Sequence, residues 1–193
     1  MTGNVAAVIL AAGEARRFGS AKQLAIHEGR SLLEHVILRA AEAGLSPVVA
    51  VVPVWLTRPA AWDDEGQLRW VRNPHPARGM SHSLRLGFAA LPNEVEAAVI
   101  LLGDQPTLPV ERIRAVVAAR GERPLIAAHA GGHPGPPVLV ERSHFGVVDE
   151  ATGDAGLRTI LAAHPEWVMT VAVDGHVPDI DVPSDLSALG GDR

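Results

Sequence analysis

Val5-Ala6-Ala7-Val8-Ile9-Leu10 runs straight into Ala11-Ala12-Gly13-Glu14-Ala15-Arg16-Arg17-Phe18-Gly19-Ser20-Ala21-Lys22-Gln23. Six aliphatic residues without a polar face read as a strand buried on both sides, as the strands of a parallel sheet are. Residues 48–52, 68–71, 97–102 and 125–128 repeat that short aliphatic pattern. Segments of helical period lie between them. Ser31-Leu32-Leu33-Glu34 is a capping box that opens a helix ending near Gly44. Met80, Leu84, Phe88 and Leu91 fall on one helical face. Pro109 and Gly121 bracket a further helix, and residues 154–163 and 184–189 read as two more. The alternation predicts one α/β domain over residues 1–193, a mainly parallel sheet with helices on both faces. Residues 138–140 and 168–173 follow a Gly/Pro-rich stretch at 131–137. They are expected to add a mixed or antiparallel edge, and the Gly/Pro stretch reads as a loop beside a site.

Composition narrows the function classes. The 193 residues fit one domain, and 47% hydrophobic with 20% charged residues excludes wholesale disorder. Lys+Arg total 17 against Asp+Glu 22, a net charge of -5, so no strongly basic nucleic-acid surface is expected. Aromatic residues are 4% with no Tyr, a poor supply for stacking bases. The chain has no Cys, which excludes disulfides, thiolate metal sites and a cysteine nucleophile. The apolar run at 5–12 is too short to span a bilayer and follows no basic leader. The expectation is a soluble cytoplasmic protein with no membrane and no nucleic-acid partner.

Ligands of open α/β sheets bind at the carboxyl ends of the strands, so the residues just after each strand carry the functional reading. After the first strand, small residues allow close backbone approach, and Arg16, Arg17 and Lys22 face one Glu14. That imbalance in an acidic chain suits a polyphosphate; a solvated loop with ordinary surface charges is the other reading. The loop is neither a Walker A nor a Gly-x-Gly-x-x-Gly motif. After the fourth strand, Gly103-Asp104-Gln105-Pro106 sets a carboxylate at the sheet mouth, either to hold Mg²⁺ or to make an Asx-turn. In Asp179-Ile180-Asp181-Val182-Pro183-Ser184-Asp185-Leu186, alternation puts Asp179 and Asp181 on one face. One of them would complete the metal site with Asp104. Alternatively these acids precede a helix, where Ser184 caps and Asp185 favours the dipole.

After the third strand comes Asn73-Pro74-His75-Pro76-Ala77-Arg78-Gly79-Met80-Ser81-His82-Ser83-Leu84. Gly79 permits close approach, and Ser81 and Ser83 would read a base or ribose, with N-capping the alternative for Ser81. The run 79–83 nearly matches a hydrolase nucleophile elbow but lacks its last glycine. His133, in Gly132-His133-Pro134, would contact a second substrate. His35 reads as a surface or satisfied histidine, while His129 and His144 have no assignment. Trp55 and Trp62 read as packing residues.

Together these residues resemble the nucleotidyltransferases of the MobA-like family. Leu10-Ala11-Ala12-Gly13 with Arg17-Phe18-Gly19 and Lys22 looks like the family's signature loop. Asn73-Pro74 through Ser83-Leu84, Gly103-Asp104-Gln105-Pro106, Gly132-His133-Pro134, Gly153-Asp154-Ala155-Gly156-Leu157-Arg158 and the 179–186 segment follow in the family's order. The resemblance covers the whole length and is nearest in look to molybdenum-cofactor cytidylyltransferases. It implies a Rossmann-like three-layer α/β/α sandwich and Mg²⁺-dependent transfer of a nucleoside monophosphate from an NTP, CTP favoured. The acceptor it implies is a phosphate on molybdopterin, with a molybdenum hydroxylase as a possible client. By the same resemblance Leu10, Ala11, Ala12, Gly13, Arg17 and Lys22 hold the triphosphate, and Gly79 and Ser83 contact the base. Asp104 and Asp181 hold Mg²⁺, and His133, Asp154 and Arg158 lie near the acceptor. Arg17, Lys22 and Asp104 are the expected catalytic residues. The chain departs from the pattern at Ala15, at Gly135-Pro136-Pro137 and at Leu157. A non-catalytic cofactor carrier or insertion chaperone and an oxidoreductase of nicotine-catabolism type are the competing classes, with sugar-nucleotide synthesis a further option within the transferase class.

Overall fold

The computed structural model describes residues 4–13, 18, 21–59, 67–121, 123–175 and 177–189. Along the chain run β1 (Val5–Leu10), β2 (Ile26–His27), β3 (Arg30–Ser31), α1 (Leu32–Glu42), β4 (Val48–Pro53) and β5 (Leu68–Asn73). Then come α2 (Met80–Ala89), β6 (Ala97–Leu102), α3 (Val110–Ala118), β7 (Leu125–Ala130), β8 (His133–Glu141), α4 (Gly156–Ala163), β9 (Val168–Ala172) and α5 (Pro183–Ala188). Seven strands form one sheet in the order β5-β4-β1-β6-β8-β7-β9, and β2 and β3 form a separate two-stranded ribbon.

The aliphatic strands are parallel: β1 pairs with β4 and β6, and β4 with β5. Their period of two divides the core. Ala7, Ile9, Ala50, Val52, Val99 and Leu101 pack with Val36, Ile37 and Ala40 of α1 and Ile113 and Val116 of α3. Val8, Val49, Val51, Ala98 and Ile100 pack with Leu84 and Phe88 of α2 and Leu157, Ile160 and Leu161 of α4. Helices therefore cover both faces, and each aliphatic side chain so buried contributes roughly 1.5–3 kcal/mol before the entropy of ordering is counted.

The sheet is mostly parallel, as expected, but the antiparallel strand is not its edge. β8 lies inside, antiparallel to both β6 and β7, and β9 forms the edge, parallel to β7. The cause is local. Gly131 (φ 63°) and Gly132 (φ 89°) supply the two left-handed residues of a tight hairpin. Chain reversal there feeds β8 back beside β7, so residues 133–137 are strand rather than loop.

Ser31 caps α1 as the sequence predicts: its Oγ accepts from Glu34 N at 3.3 Å and Glu34 Oε2 accepts from Ser31 N at 2.8 Å. Two other serines do not cap. Ser81 lies within α2, whose N-cap is Gly79. Ser184 lies within α5; the Asp185 carboxylate accepts from Asp181 N at 2.8 Å and Val182 N at 2.9 Å instead. Among the described residues no helix is long and apolar enough to cross a membrane.

Candidate functional site

A cleft of about 610 Å³ opens at the carboxyl ends of β1 and β6, a volume suited to a small-molecule ligand. Leu10, Ala11, Ala12 and Gly13 form one wall, and Leu102, Gly103 and Asp104 another. The two turns press together: Gly103 N donates to Leu10 O at 2.9 Å, and a Cβ on Gly103 would stand 2.7 Å from the Ala11 Cβ. Gln23 holds the first turn from behind. Its buried Nε2 donates to Ala11 O and Gly13 O, each at 2.8 Å.

Lys22 begins the 3-10 turn Lys22–Leu24 and projects its ammonium between two carboxylates. Its Nζ lies 2.8 Å from Asp104 Oδ2 and 3.1 Å from Asp181 Oδ1. Burial alone would lower the Lys22 pKa, but the charges and hydrogen bonds of Asp104 and Asp181 outweigh it and raise the value. Asp104 Oδ1 is buried and has no hydrogen-bond partner among the described residues.

The second carboxylate arrives from far along the chain. Ile180 N donates to Asp104 O at 3.1 Å, and the Ile180 side chain is fully buried with Phe18 and Leu32. Gln105 Nε2 donates to Asp179 Oδ1 at 2.8 Å, while Gln105 Oε1 is buried without a partner. Burial raises the Asp179 pKa, and the Asp104 charge adds to the effect. Alternation thus turns Asp179 and Asp181 to the cleft and Ile180 to the core.

The third wall is the entry to α2. Gly79 adopts φ 82°, and a Cβ there would stand 2.6 Å from Gly153 C and 2.8 Å from Asp154 Oδ1. Close approach is therefore what the glycine provides, toward a neighbouring loop. Met80 N donates to Asp154 Oδ1 at 3.3 Å. Ser83 lines the cleft and accepts at Oγ from Nδ2 of the fully buried Asn73 at 3.0 Å. Asn73 Oδ1 also accepts from His75 N at 2.8 Å, which shapes the 73–79 loop.

The fold brings Leu10, Ala11, Ala12, Gly13, Lys22, Gly79, Ser83, Asp104, Asp154 and Asp181 to one cleft. Arg17, Ala15 and Trp62 lie outside the described residues. His133 and Arg158 are exposed and do not line the cleft: His133 opens β8 opposite Ala130, and Arg158 sits on the outer side of α4. Trp55 is 54% exposed, so it does not pack as expected, because the turn after β4 carries it outward. His35 is buried, with Nε2 2.7 Å from His27 O, a satisfied histidine. His144 meets Ser143 Oγ at 2.9 Å through Nδ1.

Sequence reading assigned no role to Gln23, Gln105 or Asn73. Their only signal is a polar residue within or beside a motif, and burial with a side-chain hydrogen bond to another part of the site is what distinguishes them. Among the described residues, no group of three or more His, Cys, Asp or Glu side chains is placed to hold a metal. Two carboxylates with one orphaned oxygen match the sparse protein coordination of Mg²⁺, which takes its remaining ligands from water and substrate phosphates.

Comparisons with known proteins agree with this architecture. The purine catabolism protein PucB of Bacillus subtilis is 26% identical over 94% of this chain and 94% of its own length. The bifunctional protein GlmU of Anaeromyxobacter dehalogenans is 37% identical over 60% of this chain, which corresponds to 25% of that protein. The crystal structure of Rv0371c from Mycobacterium tuberculosis superposes with a TM-score of 0.84 at 25% identity, over 98% of both chains. Its complex with manganese superposes at 0.80 and 24% identity over 96% of this chain and 97% of that one, a likeness of fold. Residues 7–174, from within β1 to just beyond β9, match the MobA-like NTP transferase domain, and the chain belongs to that family.

Proposed function

We propose that the protein moves a nucleoside monophosphate from an NTP, CTP favoured, to a phosphate of a molybdopterin-type acceptor. The acceptor oxygen bonds to the α-phosphorus as the α–β bridge breaks, and pyrophosphate leaves. The observation that carries this reading is Lys22 between Asp104 and Asp181 in a cleft walled by the small-residue turn at 10–13. Lys22 and Arg17 would hold the triphosphate, and the 10–13 backbone would cradle it. Gly79 and the Asn73-anchored Ser83 would face the base. Asp104 and Asp181 would hold Mg²⁺, which supplies charge neutralisation on the phosphates when bound. The manganese complex of the Rv0371c structure supports a divalent cation in this fold. No residue need act as a covalent nucleophile; Lys22 contributes by positioning and by charge. Asp154, which lines the cleft, would lie near the acceptor, and His133 and Arg158 would approach the acceptor from outside the lining residues. A cytoplasmic setting and a molybdenum hydroxylase client complete the reading.

Calorimetry with CTP, GTP and ATP, with and without Mg²⁺, tests the donor. Micromolar, Mg²⁺-dependent binding of CTP, about -8 kcal/mol, is the expected result. Absence of binding to all three would favour the carrier or oxidoreductase class. Pyrophosphate release with molybdopterin tests the acceptor. Asp104→Ala should abolish turnover while weakening nucleotide binding less; wild-type turnover in that variant would sink the metal assignment.

A further inference from the structure

The position of Lys22 bears on which ligand the acidic pair accepts. Its ammonium stands 2.8 Å from Asp104 and 3.1 Å from Asp181, in the space a cation shared by those carboxylates would take. The lysine is not loosely placed. It starts a 3-10 turn whose next residue, Gln23, is buried and bonded to two backbone carbonyls. Its own side chain is 14% exposed. The backbone that carries each carboxylate is held as well: Ile180 N donates to Asp104 O, and Asp181 N, beside the buried Ile180, donates to the Asp185 carboxylate.

We infer that Lys22 is the specificity-determining residue of this site, excluding a free divalent cation and admitting only one that arrives with a nucleotide triphosphate. This rests on the nucleotidyltransferase reading above. A bare metal bridging the two carboxylates through Asp104 Oδ2 and Asp181 Oδ1 meets the like charge of Lys22 and must displace its ammonium from both. A metal bound to a triphosphate brings anionic oxygens with it. Those oxygens receive Lys22 as the carboxylates receive the metal, and both charges stay paired. The sparse coordination has the same consequence. With Asp179 engaged by Gln105 and no group of three or more acidic or histidine side chains placed to hold a metal among the described residues, the site is too poor to hold a free ion against Lys22. Metal and triphosphate therefore bind with positive coupling, each raising the affinity for the other by the same factor.

The sign of one substitution tests this. Mn²⁺ alone, with no nucleotide, is titrated into the purified full chain, and free Mn²⁺ is read by electron paramagnetic resonance. Lys22→Met should bind Mn²⁺ about tenfold or more tightly than wild type, because a like charge has left the site. Lys22→Gln serves as the second variant should Met disturb the fold, and Lys22→Arg should behave as wild type. Asp104→Asn in the Lys22→Met background should return the affinity to the wild-type level. Adding a non-hydrolysable CTP analogue should tighten Mn²⁺ binding in wild type far more than in Lys22→Met. Equal Mn²⁺ affinity in wild type, Lys22→Met and Lys22→Gln overturns the inference. Failure of the analogue to bind wild type, with the Lys22→Met gain intact, overturns the nucleotide reading while the competition for the carboxylates stands.

Discussion

Gln105 and Asp179 are 74 positions apart and joined by one hydrogen bond, Nε2 to Oδ1 at 2.8 Å. Beside it, Ile180 N donates to Asp104 O at 3.1 Å. The turn after β6 and the segment before α5 are thereby clamped, and Asp181 meets Lys22 from across the cleft.

Gln105→Leu removes the side-chain half of that clamp. The expected cost in stability is about 1 kcal/mol. The Mg²⁺ concentration for half-maximal pyrophosphate release should rise about tenfold, as for other residues that orient metal ligands. An unchanged Mg²⁺ dependence would show that Gln105 does not position Asp181.

Gly79→Ala should be costly on two counts. The residue sits at φ 82°, and its Cβ would overlap Gly153 and Asp154. We expect a loss of about 1–3 kcal/mol in chemical denaturation. Weaker nucleotide binding should accompany it, since Asp154 and the start of α2 must separate. Wild-type stability would show that the 153–154 loop yields freely.

His82 gives a signed pH dependence. Burial lowers its pKa, the charges of Arg78, His75 and Arg85 add, and its buried Nε2 has no partner. The unfolded chain therefore binds this proton more readily than the folded one, so stability rises with pH through the window between the two values. The contribution is complete above the unfolded pKa of about 6.5 and is lost as pH falls toward the folded one. His82→Gln should flatten the fall in Tm below that pH; an unaltered profile would exclude His82 as its source.

Gly87→Ala tests the packing of α2 against the sheet. A Cβ at Gly87 would overlap Val8 Cγ1 and stand 3.1 Å from Val51 Cγ2. Alanine is the better helix former, yet the variant should lose about 1–3 kcal/mol through overpacking. A raised Tm would mean that helix propensity outweighs the clash.

Much of this was legible before folding was considered. Periodicity with the capping and Pro/Gly signals places β1, β4 to β7 and α1 through α5, because burial on both faces demands aliphatic strands and an apolar stripe demands helical spacing. The Ser31–Glu34 cap was legible because all its parts lie within one turn. The inward place of β8 was not. It depends on the left-handed geometry of Gly131 and Gly132, and a paired glycine reads equally as a flexible loop.

The candidate site divides in the same way. Short stretches of sequence settle which residue types stand after each strand: the small-residue turn at 10–13, Lys22, Asp104 and the alternating acids at 179 and 181. Each is a property of a short stretch, and local chemistry settles it. Which of them meet is settled by long-range packing. It joined Lys22 to Asp104 and Asp181, brought Asp154 to Gly79, left His133 and Arg158 outside the cleft, and gave Gln23, Gln105 and Asn73 their supporting places. Those contacts link parts of the chain that lie far apart in sequence, and they form because burying Ile180 and pairing the polar groups around it are favourable only once the sheet is assembled.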